Sequence, residues 1–208
     1  MKRAIILLFV ILGLACCVRS AQGAIITIAI EGVVDYVEDP GGLLAGRIFV
    51  GDLITGTYTY DTSTPDTNPL VDYASYWHGT LPAGISLSIG GLEFESDPWR
   101  LDYRIGISDG YQSRDIYSVR SKSNLPVLDR VAPSDIYWEL QDSRAEALSS
   151  TELPGNPPRL SDWESNILTV TGERTFGIKG QITDARVVPE PVTILLLGFG
   201  ALVYLKRR

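Results

Sequence analysis

Apolar and polar positions alternate with a period of two through most of this chain. Ile25 to Val37 is an apolar, β-branched run that stops at Glu38-Asp39-Pro40-Gly41-Gly42. Arg47 to Tyr60 is a second run. In its latter half Ile54, Gly56, Tyr58 and Tyr60 fall on one face and Thr55, Thr57 and Thr59 on the other, which predicts a strand with one buried face. Asp61 to Pro69 is rich in Thr, Asp and Pro and reads as a long loop. Gly84 to Ile89 alternates again, Gly90-Gly91 turns the chain, and Leu92 to Glu95 returns as the second arm of a hairpin. Leu101 to Ser108, Asp115 to Val119 and Ile136 to Leu140 are further strands. Ile167 to Thr171 and Thr175 to Thr183 pair across Gly172-Glu173-Arg174. Arg144 to Ser150 is the only helical candidate, short enough to be a single turn. Eight or nine strands at this spacing predict an all-β fold, an antiparallel β-sandwich of jelly-roll type. No internal repeat or low-complexity segment interrupts it.

Both ends depart from this pattern. Met1-Lys2-Arg3 is basic, Ala4 to Val18 is apolar apart from Gly13, and Ala21 and Gly23 stand at positions −3 and −1 of a cut before Ala24. That order predicts a secretory signal peptide over 1–23, taken by the Sec export route and removed by signal peptidase. An uncut anchor is the alternative. The residues before Cys16 and Cys17 fit a lipoprotein cleavage site poorly.

At the other end Val188-Pro189-Glu190-Pro191 leads into an apolar run from Val192 to Leu205 and then Lys206-Arg207-Arg208. The prolines hold the junction extended, open to a processing enzyme. Fourteen apolar residues make a helix of about 21 Å, short against a hydrocarbon core of about 30 Å. The three terminal cations predict a cytoplasmic end, with the 24–186 domain on the outer side of the membrane. This tail, 187–208, resembles the PEP-CTERM sorting signal of bacterial exported proteins, although many members end in arginine alone. The resemblance implies recognition of Pro189, Glu190 and Pro191 by an exosortase, a membrane-embedded, cysteine-dependent processing enzyme. A plain C-terminal anchor is the competing reading. The body resembles domains found between such signals, in the Gly-x-Tyr-x-Tyr-Asp run at Gly56 to Asp61 with its Thr-Pro-Asp loop, in the hairpin near Gly90, and in Leu153-Pro154. That likeness implies architecture and no activity.

Charge and cysteine change once the ends are set aside. Residues 24–188 keep 12 of the 18 basic residues and 24 of the 25 acidic ones, a formal −12. Such a body repels phosphate backbones, so nucleic acid is not an expected partner. Both cysteines lie in the leader, leaving the domain without disulfide or thiol chemistry.

Little else points to catalysis. His78, the single histidine, is expected on the surface or in a loop, and no zinc ligand set accompanies it. No Gly-x-Ser-x-Gly elbow, phosphate loop or dinucleotide fingerprint occurs. A paired-carboxylate glycosidase would need a separation that strand spacing does not define. Calcium is the one cofactor with candidate ligands: Asp61 and Asp66 in one loop, and Asp109 and Asp115 about Gly110. Tyr73, Tyr76 and Trp77, read as loop residues, could stack on sugars, whereas Trp77, Trp99, Trp138 and Trp163 could equally fill the core. The expectation is a non-enzymatic protein, exported, tethered to the inner membrane as a precursor, then processed into the envelope or extracellular matrix. The alternative is a carbohydrate-binding or weakly hydrolytic sandwich acting on exopolysaccharide.

Overall fold

Eleven strands form in the computed structural model, which describes residues 23–189 apart from 127 and 129–131. They are β1 (Ile25–Glu38), β2 (Leu53–Asp61), β3 (Tyr73–His78), β4 (Gly84–Ile89), β5 (Leu92–Ser96), β6 (Tyr103–Ser108), β7 (Asp115–Ser121), β8 (Asn124–Leu125), β9 (Asp135–Asp142), β10 (Ser165–Gly172) and β11 (Phe176–Val187). The predicted hairpin at Gly90-Gly91 and the pair across 173–175 are both present. Arg144 to Ser150 is an irregular stretch of bends with no helix. Among the described residues no helix is long and apolar enough to cross a membrane. The apolar run 192–205 lies outside the described residues.

The all-β, antiparallel expectation holds, but the sheet is one rather than two. A continuous ladder runs β3-β6-β7-β9-β10-β11-β1-β2-β4-β5-β8. It curls into a half-barrel whose concave face is the core. Strands far apart in this order meet there. Tyr58 on β2 lies edge-on to Trp138 on β9 at 5.7 Å, and its hydroxyl is 3.2 Å from that of Tyr117 on β7. Phe94 on β5 approaches Phe176 on β11 at 6.4 Å.

The two longest strands, β1 and β11, form the spine where the halves join. β1 pairs with β2 as far as Val33 and with β11 from Ile28 to Glu38. Its register with β11 slips between Glu31 and Gly32 and again between Val34 and Tyr36. Such bulges bend a strand and sharpen its twist, which lets one sheet fold over its own inner face. Inside, Ile28, Ile30, Ile54, Tyr58, Leu87, Phe94, Trp138 and Val170 are among the side chains wholly removed from solvent. Gly56 falls on the buried face of β2 as the alternation predicts. A Cβ there would stand 2.2 Å from the carbonyl oxygen of Ser86 on β4, so glycine sets the approach of these strands.

The four tryptophans divide. Trp138 and Trp163 are core residues, whereas Trp77 is 57% and Trp99 91% exposed. Trp138 keeps its indole N–H satisfied by donating to Asn166 Oδ1 at 2.9 Å, and Asn166 donates in turn to the Ile182 carbonyl. Truncating Trp138 to alanine should cost about 3–5 kcal/mol, read as a lower denaturant midpoint.

The buried phenols give the fold a pH limit. Burial raises Tyr58, Tyr103 and Tyr117 well above the ordinary tyrosine value and pushes Tyr60 up to about 12. The unfolded chain releases these protons near pH 10, whereas the folded chain holds them. Stability is therefore complete below about pH 10 and declines as pH rises toward the folded values. A melting series from neutral to strongly alkaline pH should show that decline, with the share of tyrosinate absorbance that belongs to these buried phenols appearing together with unfolding.

Candidate functional site

The two ends of the described chain emerge side by side. β1 begins as β11 ends, with Ile28 opposite Val187, and the Val188 N–H donates to the Thr27 carbonyl at 2.8 Å. Ala24 is held by Thr62, whose Oγ1 accepts from the Ala24 N–H at 2.9 Å. Gly23 and Pro189 are the first and last described residues, and both are exposed. Ala21, Glu190, Pro191, Lys206, Arg207 and Arg208 lie outside the described residues.

The four acidic residues considered for calcium all sit at loops. Asp61 Oδ1 accepts from the N–H and the hydroxyl of Ser63, at 2.8 and 2.7 Å, and these bonds hold its carboxyl below the usual carboxylate range. Asp66 Oδ1 accepts from the N–H groups of Asn68 and Ser75, tying the long loop to β3. Asp109 bonds through its backbone N–H to the Asp72 carbonyl at 3.0 Å. Asp115 is fully buried and accepts from the Gly110 N–H on one oxygen and the Leu148 N–H on the other, at 2.8 and 2.7 Å. Among the described residues no group of three or more His, Cys, Asp or Glu side chains is placed to hold a metal ion.

A carboxylate that the sequence reading passed over, Asp142, stands opposite Asp115 in the β7–β9 ladder and is equally buried. It accepts from the Glu146 N–H at 2.9 Å and from Arg144, and these bonds lower its pKa. The cross-strand pair thus clamps the start of the 143–163 connection. Two core tyrosines clamp its middle, since Tyr76 donates to the Thr151 carbonyl at 2.7 Å and Tyr60 to the Pro154 carbonyl at 2.5 Å. The second bond joins the Gly-x-Tyr-x-Tyr-Asp run to Leu153-Pro154, a physical link between two segments noted separately in the sequence. Beneath this connection is a cleft of about 430 Å³ lined by Ile107, Tyr117, Leu148, Leu153, Arg159 and Trp163.

His78 and its neighbours differ from expectation. Tyr73 to His78 is strand β3, because its backbone completes the edge of the sheet against β6. Alternation then splits the aromatic group, with Tyr76 and His78 buried and Trp77 outward. His78 is only 5% exposed, lies with its ring centre 5.6 Å from that of Tyr103 at a tilt of 42°, and has Nδ1 3.0 Å from the Thr64 hydroxyl. His78 Nε2 and the Tyr103 hydroxyl have no hydrogen-bond partner among the described residues. Desolvation lowers the His78 pKa, opposed by the charge of Asp61.

A buried histidine of this kind makes the fold sensitive to acid. With the folded pKa depressed, the unfolded chain takes up the proton first, near pH 6.5. The stability from keeping His78 neutral is present above that pH and is lost as pH falls through the folded value. Thermal melts should show a slope of at most about 1.4 kcal/mol per pH unit from this one group in that window, reduced in His78→Gln. Separately, Asp115→Ala should cost about 2 kcal/mol, because two loop N–H groups lose their shared, buried charged acceptor. It should also make 143–150 newly sensitive to protease.

Comparison with family models, with curated proteins and with solved structures finds no match for this chain.

Proposed function

We propose that this chain is an exported protein whose β domain is carried to the outer side of the membrane, held there by its C-terminal tail, and freed for the envelope or extracellular matrix by an exosortase-like enzyme. In this reading the domain has a structural or interaction role rather than a catalytic one. The observation that carries the proposal is that strand β11 ends at Val187, just before the tail motif. Among the described residues Val188 is the last one tied into the spine, and in the sequence Pro189-Glu190-Pro191 follows at once. A cut within that tripeptide removes no strand residue, so processing is compatible with an intact fold. Ala24, at the other junction, likewise precedes the first residue of β1.

The polar groups of the domain support the same reading. Asp61, Asp66, Asp115 and Asp142 accept backbone N–H bonds that shape loops, a structural use of carboxylates.

Sorting separates this proposal from a plain anchor. Replacing Glu190 by alanine, or Pro189 and Pro191 together, should leave export intact and retain a full-size, membrane-bound precursor. A scrambled 192–205 run of equal hydrophobicity should be processed nearly as well as wild type, since insertion depends on apolar content more than order. Cell fractionation with an immunoblot for size reads both results. Equal processing of wild type and Glu190→Ala would overturn the sorting role.

A further inference from the structure

The outer face of the half-barrel carries a feature unlike the rest of this acidic surface. Outward positions align across the ladder so that Trp77 on β3 stands opposite Arg104 on β6, Arg104 opposite Arg120 on β7, and Arg120 opposite Tyr137 on β9. The same row continues through Thr169 and Lys179 to Tyr36 on β1. Aromatic and cationic side chains thus share one row, and they touch: the Arg120 guanidinium lies 5.4 Å from the centre of the Tyr137 ring and Lys179 Nζ 5.5 Å from that of Tyr36.

At the β3 end the row opens into a depression of about 270 Å³. Trp77, Arg104, Arg120 and Lys122 line it, Thr67 and Ser75 adjoin them, and Asp102 is its single carboxylate. Asp135 engages Arg120 from outside, accepting from Nε at 2.9 Å and Nη2 at 2.6 Å, which fixes that guanidinium in place. Among the described residues Arg104 and Lys122 have no ion-pair partner. With Asp135 counted, three cations face two carboxylates, still the reverse of the body's overall balance, in which acidic residues outnumber basic ones two to one.

We propose that this depression binds an acidic sugar of a polysaccharide, such as a uronate, with Trp77 stacked on the ring and Arg104 and Lys122 on the carboxylate. Each part of the chemistry has a counterpart. The apolar face of a pyranose suits a half-exposed indole. A carboxylate suits a guanidinium fork and an ammonium that lack protein partners. Adjacent strands lie about 4.8 Å apart, so the row offers further contacts at regular steps to a chain laid across the strands. The net −12 of the body disfavours nucleic acid and other dense polyanions, which would meet repulsion beyond the patch. The proposal requires neither export nor processing and stands apart from the sorting reading.

The test uses the full-length chain in detergent, with trigalacturonate as the acidic probe, maltotriose as the neutral one and tripolyphosphate as an anion without rings. Trigalacturonate should bind and change tryptophan fluorescence, and added salt should weaken it. Maltotriose should bind at least roughly tenfold more weakly, and Trp77→Ala and Arg104→Ala should each lose roughly tenfold. Trp99→Ala, at the other exposed indole, should bind as wild type does. Unchanged melting temperatures would show that the outward substitutions leave the fold intact. The proposal is overturned by any of four results: no binding of trigalacturonate, equal binding of maltotriose, tripolyphosphate bound as tightly as trigalacturonate, or wild-type affinity in both the Trp77 and Arg104 variants.

Discussion

A sheet with one apolar face must cover that face, and among the described residues there is no helical layer to do it. The sheet therefore covers itself. Everything else in the architecture follows from the bend that makes this feasible, at the bulged spine of β1 and β11. The bend brings Tyr58 against Trp138 and Tyr117 from the opposite flank. It also takes phenol and indole groups out of solvent, where an unpaired polar atom is costly. Tyr58 with Tyr117 and Trp138 with Asn166 are solutions to that problem. Tyr60 and Tyr76 solve it differently, by reaching out of the core to carbonyls of the 151–154 segment. The same bonds that satisfy the core thus shape the connection over its open end.

Much of the fold was legible because period-two burial is a local property. The run Ile54 to Tyr60 shows its buried face directly, and glycine pairs mark the Gly90-Gly91 hairpin. Strand β3 was hidden because Tyr73-Ala74-Ser75-Tyr76-Trp77-His78 places aromatics on both faces, so no polar alternation appears. β8 has two residues, too few to show any period. The choice between two sheets and one depends on which distant strands pair, and that is not written in either partner alone.

The candidate chemistry divides on the same line. Asp61 and Asp66 lie in the loop that turn-forming residues announce, and their carboxylates serve its geometry. Asp115 drew attention for its neighbour Gly110, and Asp142 drew none. Their pairing across β7 and β9 is a product of register, as is the row from Trp77 to Tyr36. The tail is a different case: its three zones are consecutive in the sequence, so its resemblance to a sorting signal is read without any folding, and 190–208 lie outside the described residues.

Because β1 starts where β11 stops, the two ends of the domain belong to one ladder. Its hydrogen bonds run perpendicular to the strands. A pull separating residue 24 from residue 188 would act along those bonds and open them in succession, starting at Thr27 and Val188. A pull delivered through the tail alone, with the first strand left free, loads no such zipper. Mechanical resistance in this protein thus depends on how many of its two ends are fastened, and one fastened end is the stronger arrangement.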